Sequence, residues 1–193
     1  MTREEWLMAM AQALRPAFEA AGYPLPAALR ISCGWPSHRA LASPGNKSRT
    51  IGQCWPAQAS ADGHHEVFIS PCISEAAQVA AVLVHELAHA AAGCQHGHKG
   101  PFRKCARKVG LTGKMTATTA TPELAERLNT LAAKIGPYPH ANLDRSQAKR
   151  QNTRMLKLTC AECGYTVRTT AKWIEQGMPT CPCGEQMQEA GAA

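Results

Sequence analysis

Residues 75–92 run EAAQVAAVLVHELAHAAA, a stretch dense in Ala, Leu and Val with no interior Gly or Pro. Such a run is committed to a buried helix, with Ser74 placed to cap its start and Gly93 to stop it. Inside it lie His85, Glu86 and His89, spelling H-E-x-x-H. Positions i and i+4 share one face of a helix, so both imidazoles can reach a single metal ion. A buried carboxylate without a partner is costly, so Glu86 calls for a task of its own. The pentapeptide reads as two zinc ligands plus the general base of a metallohydrolase. Random placement of 8 His and the chain's glutamates over 193 residues yields only about 0.02 copies of this motif.

Two histidines leave a zinc site open, and the third ligand is expected downstream, at His96 or His98. The register H-E-x-x-H-x-x-G-x-x-H would require Gly at 92 and His at 95, where the chain has Ala92 and Gln95. His98 precedes a Gly100-Pro101 turn and a second helix opening at Phe102 and running to Val109. Packing of Phe102, Ala106 and Val109 onto the first helix would pin a ligand at that helix mouth.

Around this centre the chain alternates in kind. Thr2 and Glu5 form a capping-box pattern for a helix over about 3–21, showing Trp6, Met10, Leu14, Phe18 and Ala21 on one face. Pro16 is expected to kink it. Residues 29–35, 50–55 and 65–70 read as three short strands, the last two separated by Asp62-Gly63 turn chemistry. Residues 110–122 read as a Gly/Thr/Ala-rich loop and 123–135 as an amphipathic helix. A linker starts at Gly136. Tyr138, His64 and His65 are conceivable oxyanion stabilisers that nothing in the sequence separates from surface residues.

H-E-L-A-H, a short loop, then H-x-G-x-F opening a basic helix resembles the SprT-like zinc metallopeptidases, the family that includes Spartan. The resemblance implies His85, His89 and His98 as ligands of a catalytic zinc and Glu86 as the base, with His96 as the other choice for the third ligand. It implies an α+β fold: a compact zincin-like domain over residues 1–140, built of helices and a small three-stranded sheet. A basic linker (141–155) and a small C-terminal zinc ribbon (156–193) would follow.

The ribbon is also read from the cysteines themselves. Cys160 and Cys163, then Cys181 and Cys183, suit one structural zinc held by four thiolates, although the second pair is C-x-C. Nine cysteines in a chain with no signal-peptide pattern argue for metal or buried thiols over disulfides. Cys33, Cys54, Cys72, Cys94 and Cys105 read singly, as small buried hydrophobes. The cofactors expected are therefore two zinc ions, one catalytic and one structural.

The charge of +7 is clustered. Between Leu87 and Pro122 no acid occurs, while Lys99, Arg103, Lys104, Arg107, Lys108 and Lys114 do. A second group comprises Arg145, Lys149, Arg150, Arg154 and Lys157. Such fields suit a polyanion, since neutralising phosphates releases counterions. Arg103, Lys104, Arg107, Lys108, Lys149, Arg150 and Arg154 are the expected nucleic-acid contacts, with DNA the expected partner. No stretch suits a membrane span, because the most apolar run carries Gln78, His85, Glu86 and His89. A cytoplasmic location is expected. The resulting expectation is a zinc-dependent peptidase acting on nucleic-acid-associated proteins, a substrate class that rests on the resemblance. The rival is a non-proteolytic, zinc-containing nucleic-acid-binding or regulatory protein using the same core as a scaffold.

Overall fold

The computed structural model describes residues 1–36, 50–144 and 155–189. It is an α+β structure with five α-helices and three small sheets among those residues, in two compact units, Met1–Ser146 and Gln147–Ala193. Among the described residues no helix is long and apolar enough to cross a membrane.

The first unit starts with α1 (Arg3–Ala20), whose capping box is in place. Thr2 Oγ1 accepts from the Glu5 amide at 3.1 Å, and Glu5 Oε2 accepts from the Thr2 amide at 2.6 Å. The helix runs unbroken through Pro16 and buries Trp6, Leu7, Met10, Leu14 and Phe18. Strands β1 (Leu29–Cys33), β2 (Gly52–Trp55) and β3 (His65–Ile69) form one sheet in the order β1-β3-β2. β1 runs parallel to β3, with Ile31 opposite Val67, and β2 runs antiparallel to it, with Cys54 opposite Val67. β2 is therefore an edge strand.

Across the sheet lies α2 (Ala76–Ala92), which buries Val79, Ala80, Leu83, Val84, Leu87 and Ala88. Its cap is Glu75, not Ser74. The Glu75 carboxylate accepts from the amides of Ala77 (3.0 Å) and Gln78 (2.6 Å), so the longer acid satisfies two orphan donors where a serine serves one. Gly93 ends the helix at φ 94°, a conformation that favours glycine. A one-turn 3-10 helix (Cys94–His96) leads to α3 (Gly100–Lys108), which begins two residues before Phe102 with Pro101 in its first turn.

Residues 110–122 depart from the loop expected of them. They form a hairpin of β4 (Leu111–Lys114) and β5 (Ala117–Ala120), with Lys114 opposite Ala117 across a two-residue connection. The β-branched Thr112, Thr118 and Thr119 favour extended backbone, a signal that the Gly and Ala content of the segment obscures. α4 (Pro122–Ile135) follows, its first turn capped by Thr121 Oγ1 accepting from the Leu124 amide at 3.3 Å.

The chain beyond α4 is fastened to the first unit. Trp6 Nε1 donates to the Gly136 carbonyl at 2.8 Å, and the buried Tyr138 ring meets Trp6 edge-on at 5.0 Å. The Leu143 amide donates to Pro71 O at 2.7 Å, with His140 Nε2 2.9 Å from the same oxygen. Tyr138 is thus a core residue rather than a surface one.

The second unit is built on β6 (Leu156–Thr159), β7 (Thr166–Thr169), α5 (Ala171–Gln176) and β8 (Gln188–Glu189), with strand order β7-β6-β8. Leu158, Cys160, Cys181 and Met187 make a core of its own.

Candidate functional site

The regular rise of α2 brings His85 and His89 one turn apart on one face, and the turn ahead of α3 returns His98 to them. His98 Nε2 lies 3.2 Å from His85 Nε2 and 3.3 Å from His89 Nε2. Tetrahedral zinc with bonds of about 2.0–2.1 Å places its nitrogen ligands roughly 3.3–3.4 Å apart, so this donor set fits the ion. Phe102 holds the three rings in place: it stacks on His89 at 4.0 Å and meets His85 and His98 at 5.0 and 5.1 Å. His96 is not part of this group. Its ring nitrogen lies 3.4 Å from Gln95 Nε2.

Burial keeps the imidazoles neutral, as metal ligands must be. It pulls the His85 pKa down to about 4, with the nearby His98 adding to the effect. The His89 pKa falls to about 3, by burial and then by His85 and His98, and burial lowers that of His98 as well. A tautomer that turns a bare Nε2 to the centre carries its proton on Nδ1. In His85 that Nδ1 lies 2.8 Å from Thr118 Oγ1, on β5, and can donate to it. Thr118 belongs to the hairpin that composition had concealed, and no local spacing marks it as a partner of His85.

Glu86 is 5% exposed, and its carboxylate lies against β2. A Cβ at Gly52 would fall 2.9 Å from Glu86 Cδ and 2.7 Å from Val82 Cγ1, and nearer still to Glu86 Oε1. The carboxylate therefore occupies the space a side chain at position 52 would need. Burial raises its pKa to about 8, with the Cys94 thiol adding a smaller effect. The protonated form is therefore favoured at neutral pH, until a nearby cation offsets the desolvation.

Cys160, Cys163, Cys181 and Cys183 converge in the second unit, their sulfurs within 4.8 Å of one another. Cys160 and Cys183 are 3.6 Å apart and Cys163 and Cys181 3.3 Å. Four thiolates at about 2.3 Å from zinc stand roughly 3.8 Å apart, so this group also suits the ion. The two positive-φ glycines after the pairs, Gly164 at 73° and Gly184 at 99°, let each knuckle turn back. The C-x-C spacing is no obstacle to the cluster.

Of the basic residues, Arg103, Lys104 and Arg107 are exposed on α3 and line a shallow open depression with Gly100. They make no salt bridge among the described residues. Lys108 is differently used, donating to Ala21 O at 3.2 Å and lying 5.6 Å from the Tyr23 ring centre. Arg145, Lys149, Arg150 and Arg154 lie outside the described residues. His64 Nδ1 is 3.2 Å from both Asp62 Oδ1 and Asp62 O, and His65 lies on β3.

Cys54 and Cys94 do not stand alone. Their sulfurs are 3.2 Å apart, joining β2 to the turn after α2. No protein-family model, curated protein or solved structure matches this chain.

Proposed function

We propose that the chain is a zinc metallopeptidase of the SprT-like kind, with its hydrolytic centre at His85, His89, His98 and Glu86. The observation that carries this reading is the convergence of three imidazoles, with His98 Nε2 3.2 and 3.3 Å from the other two, on an H-E-x-x-H helix whose intervening Glu86 is buried. A zinc ion held there would supply Lewis acidity, acidifying water and polarising a carbonyl. His85 and His89 orient from one helix face, His98 closes the set, and Thr118 Oγ1 is placed to accept from the His85 Nδ1 proton, which would leave Nε2 free for the metal. Glu86 accepts a proton from the attacking water and returns it to the leaving amine, a general base and then a general acid. A purely structural metal site has no use for such a carboxylate, which favours hydrolysis over a scaffold role.

A peptide is the substrate class best suited to the setting. β2 is an edge strand alongside α2, with no strand paired on its far side among the described residues, and an extended peptide can add to such an edge. The four-cysteine cluster acts in this reading as a structural zinc ribbon. Arg103, Lys104 and Arg107 supply a phosphate-binding surface that directs the enzyme to DNA-associated proteins. The test is to incubate the zinc-loaded full chain with an unstructured protein, with and without single-stranded DNA, and to read new N-termini by mass spectrometry. Cleavage that a chelator abolishes supports the proposal. A chain that carries two zinc ions and binds DNA, yet cuts nothing in either condition, is the non-proteolytic rival.

A further inference from the structure

The dithiol formed by Cys54 and Cys94 has no part in the peptidase reading, and its chemistry is independent of that reading. Cys54 sits on the edge strand β2, and Cys94 in the 3-10 turn that links α2 to His98. They are 40 residues apart in sequence, yet their sulfurs lie 3.2 Å from each other. Both residues are only partly buried. A disulfide has a sulfur–sulfur bond of about 2.05 Å, so closure needs a movement of only about 1.2 Å. Cys33, Cys72 and Cys105 have no thiol partner of this kind among the described residues.

We propose that Cys54 and Cys94 are a reversible redox-modification site, a dithiol that low-molecular-weight disulfides of the glutathione class convert into a bond clamping β2 to the His98 turn. The chemistry is two successive exchanges. One cysteine thiolate attacks glutathione disulfide, forming a mixed disulfide and expelling one glutathione thiolate. The other cysteine thiolate attacks the protein-side sulfur of that mixed disulfide and expels the second. The dithiol gives up two electrons and two protons, and glutathione disulfide becomes two glutathione molecules. Excess glutathione runs the same steps backwards. The bond would join two elements that flank Glu86, since Gly52 on the same strand touches its carboxylate. It would leave the four ribbon cysteines, in a different unit, to their own cluster.

The experiment equilibrates the zinc-loaded full chain in buffers of graded reduced-to-oxidised glutathione ratio, quenches by alkylation, and maps peptides without reduction. The expected result is a peptide pair cross-linked through Cys54 and Cys94, with a mass loss of two hydrogens, that disappears reversibly as reduced glutathione increases. Cys54→Ser and Cys94→Ser should each abolish it, while Cys72→Ser leaves it intact. In the wild-type chain, amide exchange over 52–55 and 94–98 should slow severalfold on oxidation, a readout that needs neither a variant nor hydrolytic activity. Independent alkylation or glutathionylation of the two thiols at every ratio, with no cross-link, would overturn the proposal. So would a cross-link that leaves exchange in both segments unchanged, because the clamp would then be absent.

Discussion

Gly52→Ala tests how closely the edge strand fits the base. The new Cβ would lie 2.7 Å from Val82 Cγ1 and 2.9 Å from Glu86 Cδ, where carbon atoms settle at about 3.5–4.0 Å. The neighbours must therefore yield by roughly 0.6–1.3 Å. Val82 sits on α2 one turn before Glu86, and Glu86 is buried, so relief comes by swinging the carboxylate or pushing helix and strand apart. Overpacking of this kind costs about 1–3 kcal/mol. For a unit of this size that corresponds to a melting temperature lower by roughly 2–12 °C. A displacement near 1 Å at a reacting group can cost on the order of 10²-fold in rate. Gly52→Ala should accordingly keep its zinc, melt earlier and hydrolyse protein some 10–100-fold more slowly. Adding Glu86→Gln should cause no further loss beyond that of Glu86→Gln alone, since the two act through one group. Thermal melting, zinc analysis and initial cleavage rates on the four chains make the cycle. A Gly52→Ala chain with parental rate and melting temperature would refute the close fit between strand and base.

Thr118→Val should keep the fold and weaken zinc binding at the histidine centre by roughly 10–100-fold, measured by competition with a chromogenic chelator. His98→Ala should lose that zinc while His96→Ala retains it, as read by metal analysis of the purified variants; the reverse pattern would move the third ligand to His96. Removing residues 156–193 should lower the zinc content from two per chain to one without unfolding the first unit, as judged by circular dichroism and metal analysis.

The parts of this architecture written in local spacing were legible in the sequence. The i, i+4 repeat marked His85 and His89, and the interval from His98 to Phe102 pointed to a histidine held against an aromatic ring, which is how the structure places the two, with ring centres 5.1 Å apart. The cysteine pairs announced their cluster in the same way. What escaped depends on contacts between distant segments. Thr118 meets His85 across 33 residues, and Cys54 meets Cys94 across 40, so neither pairing leaves a periodic trace. Gly52 looks like an ordinary strand glycine until α2 is laid beside it. The hairpin at 111–120 was masked because Gly113 and the alanines resemble loop composition, while its strands are held by pairing across a tight turn. Ser74 is the more usual capping residue, yet Glu75 next to it reaches two amides.

The proposed hydrolysis stands or falls on Glu86 moving the proton at a zinc centre built by His85, His89 and His98. Protein hydrolysis by Glu86→Gln beside the parent chain, with zinc content determined on the same samples, addresses that role without intermediaries. The amide keeps the shape of the carboxylate but cannot accept a proton, so two zinc ions per chain should remain while the rate falls by about 10²–10⁴-fold. A Glu86→Gln chain that holds its zinc and cleaves protein as fast as the parent would contradict the role assigned to Glu86.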